Sequence, residues 1–411
     1  MSFTEAAKLD VINSLEPRLR ALYDTLCRRG IDIADLDEAV VSKLGFYEGQ
    51  SKDKETSEVT VTTMSKIEFA PSWDQEPAFP IVQVPGTTKI SYGKRPKPLT
   101  DGYHRTILYP DTQIGYWRDI DTGALTPMHD EAAMGCALEI QKAFNADRVV
   151  NLGDFVDFPE FSTKFAVHPE FVHTAQPALN RGHAYLGQQR AILGPPGSRE
   201  FSPELALAAA IEAIELYLIG GNHDDRLGRV ILQHARAALR LKPADQPDGW
   251  PVLSVPFLLG LEGLGCTFIG GYPAGSLKLA KGTRNQAPLF AVHERGLDVA
   301  KTARQQRQSY VQGHGHRVAT HSETYELDGD YVDVDAIMLG CLARNDGAVP
   351  STKGAPDDRG KPVKRIESWQ QAVGLLTVAP DGEWSMEVVR IRNGRAIFGG
   401  KLYEAPPADE A

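Results

Sequence analysis

The stretch IEAIELYLIGGNHDDR, residues 211–226, decides how the chain is read. A short apolar run, LYLI at 216–219, is broken by two glycines and then gives way to Asn222, His223 and Asp224. The same pattern recurs in RTILYPDTQIG (105–115), RVVNLGD (148–154), PLFAVHERG (288–296) and SYVQGHGH (309–316). Each is a strand-length apolar segment ending in a turn rich in oxygen and nitrogen donors. A helix-length segment at about 128–145 lies between the first two. Helices between successive strands imply parallel crossovers, hence an α/β layered architecture. In such sheets the chemistry gathers beyond the carboxyl ends of the strands, where these turns fall.

The turns supply five groups of candidate ligands: Asp111-Thr112-Gln113; Asp154 with Asp157; Asn222-His223-Asp224; His293 before Glu294; and His314 with His316. A single G-D-x-x-D or G-N-H-D is an ordinary turn, in which Asn or Asp would cap the following helix. The informative feature is their succession, each at the end of an expected strand. Carboxylate and imidazole donors suit manganese, iron, zinc or nickel. Two such ions about 3.5–4 Å apart can hold phosphate oxygens and acidify a bridging water into a hydroxide nucleophile. That arrangement needs one carboxylate shared by both ions and a nearby acid for the leaving alkoxide.

The order D-x-Q, G-D-x-x-D, G-N-H-D, H, G-H-x-H resembles the calcineurin-like metallophosphoesterase superfamily over about residues 105–340. The resemblance implies a sandwich of two mixed β-sheets flanked by helices. It implies two divalent ions, manganese first, with iron, zinc, nickel, magnesium and calcium as other occupants. Asp111, Gln113 and His316 are then ligands of the first ion, Asp154 the bridging carboxylate, and Asn222, His293 and His314 ligands of the second. His223 corresponds to the histidine that stabilises the transition state or protonates the leaving group, and Asp157 to the carboxylate orienting it. Asp224 reads as a helix cap or an outer acceptor. Two positions depart from the usual pattern. Gln113 replaces a histidine, a weaker ligand also seen in relatives acting on nucleotide diphosphates and in phage-type repair nucleases. Gly315 stands where Thr or Ser is usual, a change expected to affect packing.

The D-T-Q-I-G opening and the C-terminal strands look like the phosphodiesterase domain of double-strand-break-repair nucleases in smaller phage or bacterial relatives. Nuclease action on DNA or RNA is therefore the leading expectation. Hydrolysis of a small nucleotide, as a pyrophosphatase or cyclic-nucleotide phosphodiesterase, is the alternative, a protein phosphatase a distant third, and a decayed binding module the reading from a different class. The partner ATPase used by repair nucleases is not inferable from this chain. The formal charge of −10 on 411 residues weighs against a protein that coats duplex nucleic acid through a general basic field. With 42% hydrophobic and 24% charged residues the composition is that of a globular protein. Absence of a secretion signal or a long apolar run points to the cytoplasm and to no membrane partner. Cys27, Cys136, Cys266 and Cys341 have no paired spacing and read as free thiols.

Residues 1–100 read as a separate module: a helix at 4–28, a second short helix capped by Asp35 or Asp37 and running to Leu44, a strand in VTVTTMSKIEF, then a Pro-rich linker. Its role, recognition or homo-oligomerisation, is open. The catalytic domain is expected over 101–400, with an insertion at 158–203 beside the site and a flexible tail at 401–411. His168, His173 and His183 in the insertion, like His104, His129, His234 and His321, read as surface or partly buried. Arg226 and Arg229, on the helix after G-N-H-D-D, are within reach of a phosphate but read first as solvated helix charges. Lys301, Arg304 and Arg307 form a basic stripe that is either solvated or turned to nucleic acid, and Tyr116 and Trp117 either stack a base or cover the sheet edge.

Overall fold

The computed structural model describes residues 39–52, 59–71, 101–162, 169–197, 201–210, 215–327, 329–347, 349 and 368–406. Two units separate, Met1–Val84 and Pro85–Ala411, the division falling inside the Pro-rich stretch. In the first, β1 (Ala39–Lys52) pairs antiparallel with β2 (Val59–Pro71), with a bulge between Val41 and Lys43. The expected strand at 59–69 is there. The expected helix through Leu44 is instead a strand, because Val40, Val41, Phe46 and Tyr47 suit a ladder and β2 supplies the partner. The helix expected at 4–28 and the linker after Pro71 lie outside the described residues.

The second unit carries both large sheets. In one, β3 (His104–Tyr109), β6 (Arg148–Asn151), β7 (Leu216–Ile219) and β8 (Cys266–Ile269) run parallel. Beyond β3, β14 (Gln371–Val378) and β15 (Trp384–Ile391) are antiparallel, giving the order β15-β14-β3-β6-β7-β8. The other sheet has β9 (Ser276–Ala280), β10 (Leu289–Val292), β11 (Ser309–Gln312), β12 (Val318–Leu327) and β13 (Asp330–Leu339), ordered β12-β13-β11-β10-β9. Both sheets are mixed. Two hairpins, β4 (Tyr116–Arg118) with β5 (Leu125–Pro127) and β16 (Arg395–Phe398) with β17 (Lys401–Glu404), are the other strands among the described residues of this unit.

The period of two along the central strands explains the layering. Ile107, Val149, Leu216 and Leu218 face a cluster with Met134, Ala137 and Ile140 of α1 (Glu131–Phe144) and Tyr185 and Leu186 of α2 (Ala175–Leu193). Their neighbours Leu108, Val150, Tyr217 and Ile219 point the other way, onto Leu279, Leu289, Ala291 and Val311 of the second sheet. Strands buried on both faces leave no room for unpaired polar side chains, which is why β7 reads as an unbroken apolar run and why Arg148 and Asn151, at the two ends of β6, are hydrogen-bonded. On the far side of the second sheet, Val299 and Ala303 of α4 (Val299–Gln306) cover Val292, Tyr310, Ala336 and Met338. A shorter helix, α3 (Arg226–His234), follows β7. Arg148, fully buried, binds the layers by donating to Thr106 Oγ1, Ala209 O and Leu279 O, and burial pushes its pKa down to about 10.

Two boundaries differ from expectation. The helix in the 158–203 segment exists, but α2 belongs to the core: Gln189 and Asn151 exchange amide hydrogen bonds at 3.0 Å, and Arg190 pairs with buried Glu215 at 3.1 Å. It is the crossover between β6 and β7. Residues 401–404, expected in a flexible tail, form β17, and Tyr403 packs against the α1 cluster. Cys136, Cys266 and Cys341 are buried free thiols, while Cys27 lies outside the described residues.

Candidate metal centre

Every candidate ligand lies just past the carboxyl end of a central strand: Asp111 and Gln113 after β3, Asp154 after β6, Asn222 after β7, His293 after β10, and His314 and His316 after β11. Backbone hydrogen bonds bind these turns to one another. Gln113 N donates to Asp154 O at 2.9 Å, and His223 N donates to Asp154 Oδ1 at 2.8 Å. His314 N donates to Asp111 Oδ2 at 2.8 Å. Glycines sit where a side chain has no room. A Cβ on Gly221 would lie 2.2 Å from Asp154 Oδ1, and one on Gly313 2.0 Å from Asp111 Oδ2. Asp224 accepts from the N–H groups of Gly221, Phe155 and Val156, the outer acceptor role expected of it rather than a cap. Burial, then the charge of Asp154, pushes its pKa up to about 6.

Two sets of side chains can each hold a cation: Asp154, His293 and His314, and Asp111, Asp154 and His316, with ligand atoms in each set within 4.8 Å of one another. Asp154 belongs to both. Asn222 Oδ1 lies 3.1 Å from His293 Nε2, and Gln113 Nε2 lies 3.2 Å from His316 Nε2, so the two amides adjoin one set each. Gln113 Oε1 and His314 Nδ1 are buried without a hydrogen-bond partner, donor atoms of the kind a cation would engage. Asp111 and Asp154 are at most 1% exposed, and buried carboxylates need compensating charge, which His293 and His223 supply in part and a cation could complete.

The tautomer of His293 follows from its partner. Nδ1–H donates to Leu152 O at 2.8 Å, which sets Nε2 3.3 Å from Asp154 Oδ1, where a proton or a cation can lie between them. Burial disfavours charge on this ring, but the Asp154 carboxylate outweighs it and pushes the pKa up to about 10. The site thus favours positive charge at that position. Burial and neighbouring His293 hold His314 below the ordinary histidine value.

His223 stands apart from the ligand sets. Its Nδ1 is 2.5 Å from Asp157 Oδ1, and its Nε2 is 3.7 Å from Asp154 Oδ2. Burial works against its protonation, yet Asp154 and Asp157 together hold its pKa above the ordinary value. Arg226, read from sequence as a solvated charge, belongs here instead. It donates to Asp157 O at 2.6 Å and brings Nη2 to 3.1 Å from His223 Nε2. The available signal was its spacing: three residues after His223, it projects from the first turn of α3 back over that histidine. Two further neighbours carried no such signal. Tyr272 donates to Glu294 Oε2 at 2.5 Å while Glu294 Oε1 lies 3.4 Å from His314 Nε2, and Trp369 meets His316 edge-on at 4.2 Å.

Other candidates take the blander roles. Trp117 packs on Phe171 and Tyr116 on His129. Arg304 is ion-paired with Glu323, Arg307 lies over Tyr325, and Arg229 is ion-paired with Asp225. A Cβ on Gly315 would meet Met338 Sδ at 2.3 Å, so Gly315 accommodates a packing neighbour.

The fold and site define an α/β protein whose strand-end turns bring together two clusters, sharing Asp154, that could each hold a cation. Neither a protein-family model nor a curated protein sequence matches the chain. Among the described residues no helix is long and apolar enough to cross a membrane.

Proposed function

We propose that the chain is a metal-dependent phosphoesterase of the calcineurin-like kind, hydrolysing phosphodiester bonds in nucleic acid or nucleotides. The observation that carries this reading is Asp154, common to two clusters whose donors come from separate strand ends. Asp111, Gln113, Asp154 and His316 would hold one cation, and Asp154, Asn222, His293 and His314 the other. When bound, such a pair supplies Lewis acidity to phosphate oxygens and lowers the pKa of a water; manganese is the first candidate.

The protein's own groups supply the rest. Asp157 fixes the ring of His223 through Nδ1 and favours its protonated form. A protonated His223 can stabilise the developing charge or deliver its Nε2 proton to the leaving alkoxide. Arg226 then faces that nitrogen as a second donor, and two donors side by side are satisfied by one anionic oxygen between them. That preference suits a phosphoryl group. The negative net charge favours short single strands or small nucleotides over long duplexes, which keeps the small-nucleotide reading beside the nuclease one.

The test is direct. Purified protein with manganese is offered bis(p-nitrophenyl) phosphate, single-stranded DNA, duplex ends, a cyclic dinucleotide and ADP-ribose. Turnover of the ester is expected, and polynucleotide cleavage that falls steeply with salt would select the nuclease. Turnover of small nucleotides alone would end the nuclease reading. Protein that binds manganese yet hydrolyses none of them would end the enzymatic one.

A further inference from the structure

Beside the G-N-H-D turn lies a cavity of about 240 Å³ that the ligands and His223 do not use. Gly220, Gly221 and Leu227 form one side of it, and Trp250, Phe268 and Tyr272 contribute aromatic walls. The rings of Trp250 and Phe268 stand at 87° with centroids 5.9 Å apart, so they make a corner. Trp250 is 41% exposed and Leu253, also lining the cavity, equally so. Two walls adjoin residues of the candidate metal centre. Tyr272 meets the ring of His293 with centroids 5.7 Å apart, and Gly221 backs directly onto the Asp154 carboxylate.

We propose that this cavity receives the unpaired base of the nucleoside attached to the scissile phosphate, an inference that takes its orientation from the phosphoesterase reading. A flat heterocycle stacks on one aromatic wall and meets the other edge-on, an arrangement open to any base. The volume lies just under the roughly 300–1,000 Å³ of drug-sized sites, as a single base with part of its sugar requires. Burying the exposed faces of Trp250 and Leu253 supplies the driving force. A base seated here has left any duplex. The substrate is therefore unpaired at that nucleotide, as in a strand end, a single strand, a small nucleotide or a base turned out of its stack.

Two variants act on the cavity in opposite ways. Trp250→Ala removes an exposed wall. Gly228→Leu fills the space from α3, where a Cβ meets no atom closer than 3.9 Å and leucine is the better helix former. The full-length protein with manganese is assayed on the p-nitrophenyl ester of thymidine 5′-phosphate and on bis(p-nitrophenyl) phosphate, and thymidine binding is measured by calorimetry. Both variants are expected to lower the ratio of kcat/KM for the nucleotide ester over the plain ester at least tenfold, and to weaken thymidine binding by as much. An unmoved ratio together with unmoved thymidine binding, in either variant whose thermal melt matches the parent, overturns the assignment. So does parent protein that does not bind thymidine. If neither ester is turned over, the phosphoesterase reading has failed, and thymidine binding in the parent and variants decides the cavity by itself.

Discussion

Left-handed backbone is adopted by different residues at the turn after β15 and at the strand ends of the candidate site. This protein also uses it at the helix ends Asn145 and Arg307 and in several loops. Between β15 and β16 the turn is made by Asn393 at φ 51° and Gly394 at φ 68°, the pair for which that conformation costs least. At the strand ends it is adopted by Asp111 at φ 27°, Gln113 at 44°, Asp154 at 47°, His314 at 60° and His316 at 53°. For ordinary side chains each such residue costs about 1–2 kcal/mol. Glycine would remove that cost but would carry no donor. The hairpin therefore uses left-handed residues to turn the chain cheaply, whereas the strand ends accept strain to aim carboxylates, an amide and imidazoles inward. Strain held in place by surrounding hydrogen bonds is the usual condition of a functional site.

The largest effect that would break this contrast is expected at Asp154. Asp154→Ala should abolish activity and release both cations, read as the manganese content of dialysed protein. Full metal retention would mean that the shared carboxylate is not shared. His223→Ala comes next. Its imidazole belongs to neither ligand set, so manganese content should stay at the parental level while the rate falls roughly 10²–10⁴-fold. A parental rate, or metal lost with the ring, would place His223 among the ligands and undo the division of roles.

A third substitution tests the glycines that let the strained residues approach. Gly313→Ala sets a methyl group 2.0 Å from Asp111 Oδ2, against an atom that cannot retreat without leaving its cluster. Overpacking of this kind costs about 1–3 kcal/mol. The melting temperature should fall in chelator, and fall further behind the parent when manganese is added, because the parent gains binding energy that the variant loses. An equal shift in both conditions would confine Gly313 to a structural role.

What the sequence made legible follows from the same physics. Apolar strands ending in donor-rich turns are local patterns, so the strand ends and all seven candidate ligands could be picked out residue by residue. The turns in PDGE and RNGR likewise mark where β14 meets β15 and β15 meets β16. The contacts of Arg226, Tyr272 and Trp369 were less visible because they depend on which loops the fold brings side by side. Strand β1 was misread as helix for a related reason: its pairing with β2 is a contact between segments, and local propensity carries no trace of the partner. The status of the 158–203 segment turned on tertiary contact too, since only the packing of Gln189 and Arg190 reveals α2 as part of the core.

The smallest predicted effect tests the cheap side of the comparison. Asn393 is exposed, its turn lies on a hairpin away from every candidate ligand, and its left-handed φ is tolerated because asparagine pays little for it. Asn393→Gly should leave stability within a few tenths of a kcal/mol, while Asn393→Ala should lose about 1 kcal/mol from the same backbone strain. Neither should change manganese affinity or turnover, because the hairpin bends the chain and directs no donor. Denaturant titrations with and without manganese measure both quantities on the same samples. A drop in metal affinity in the alanine variant would show that strain in the hairpin and strain at the strand ends are linked, and the separation drawn between them would fail.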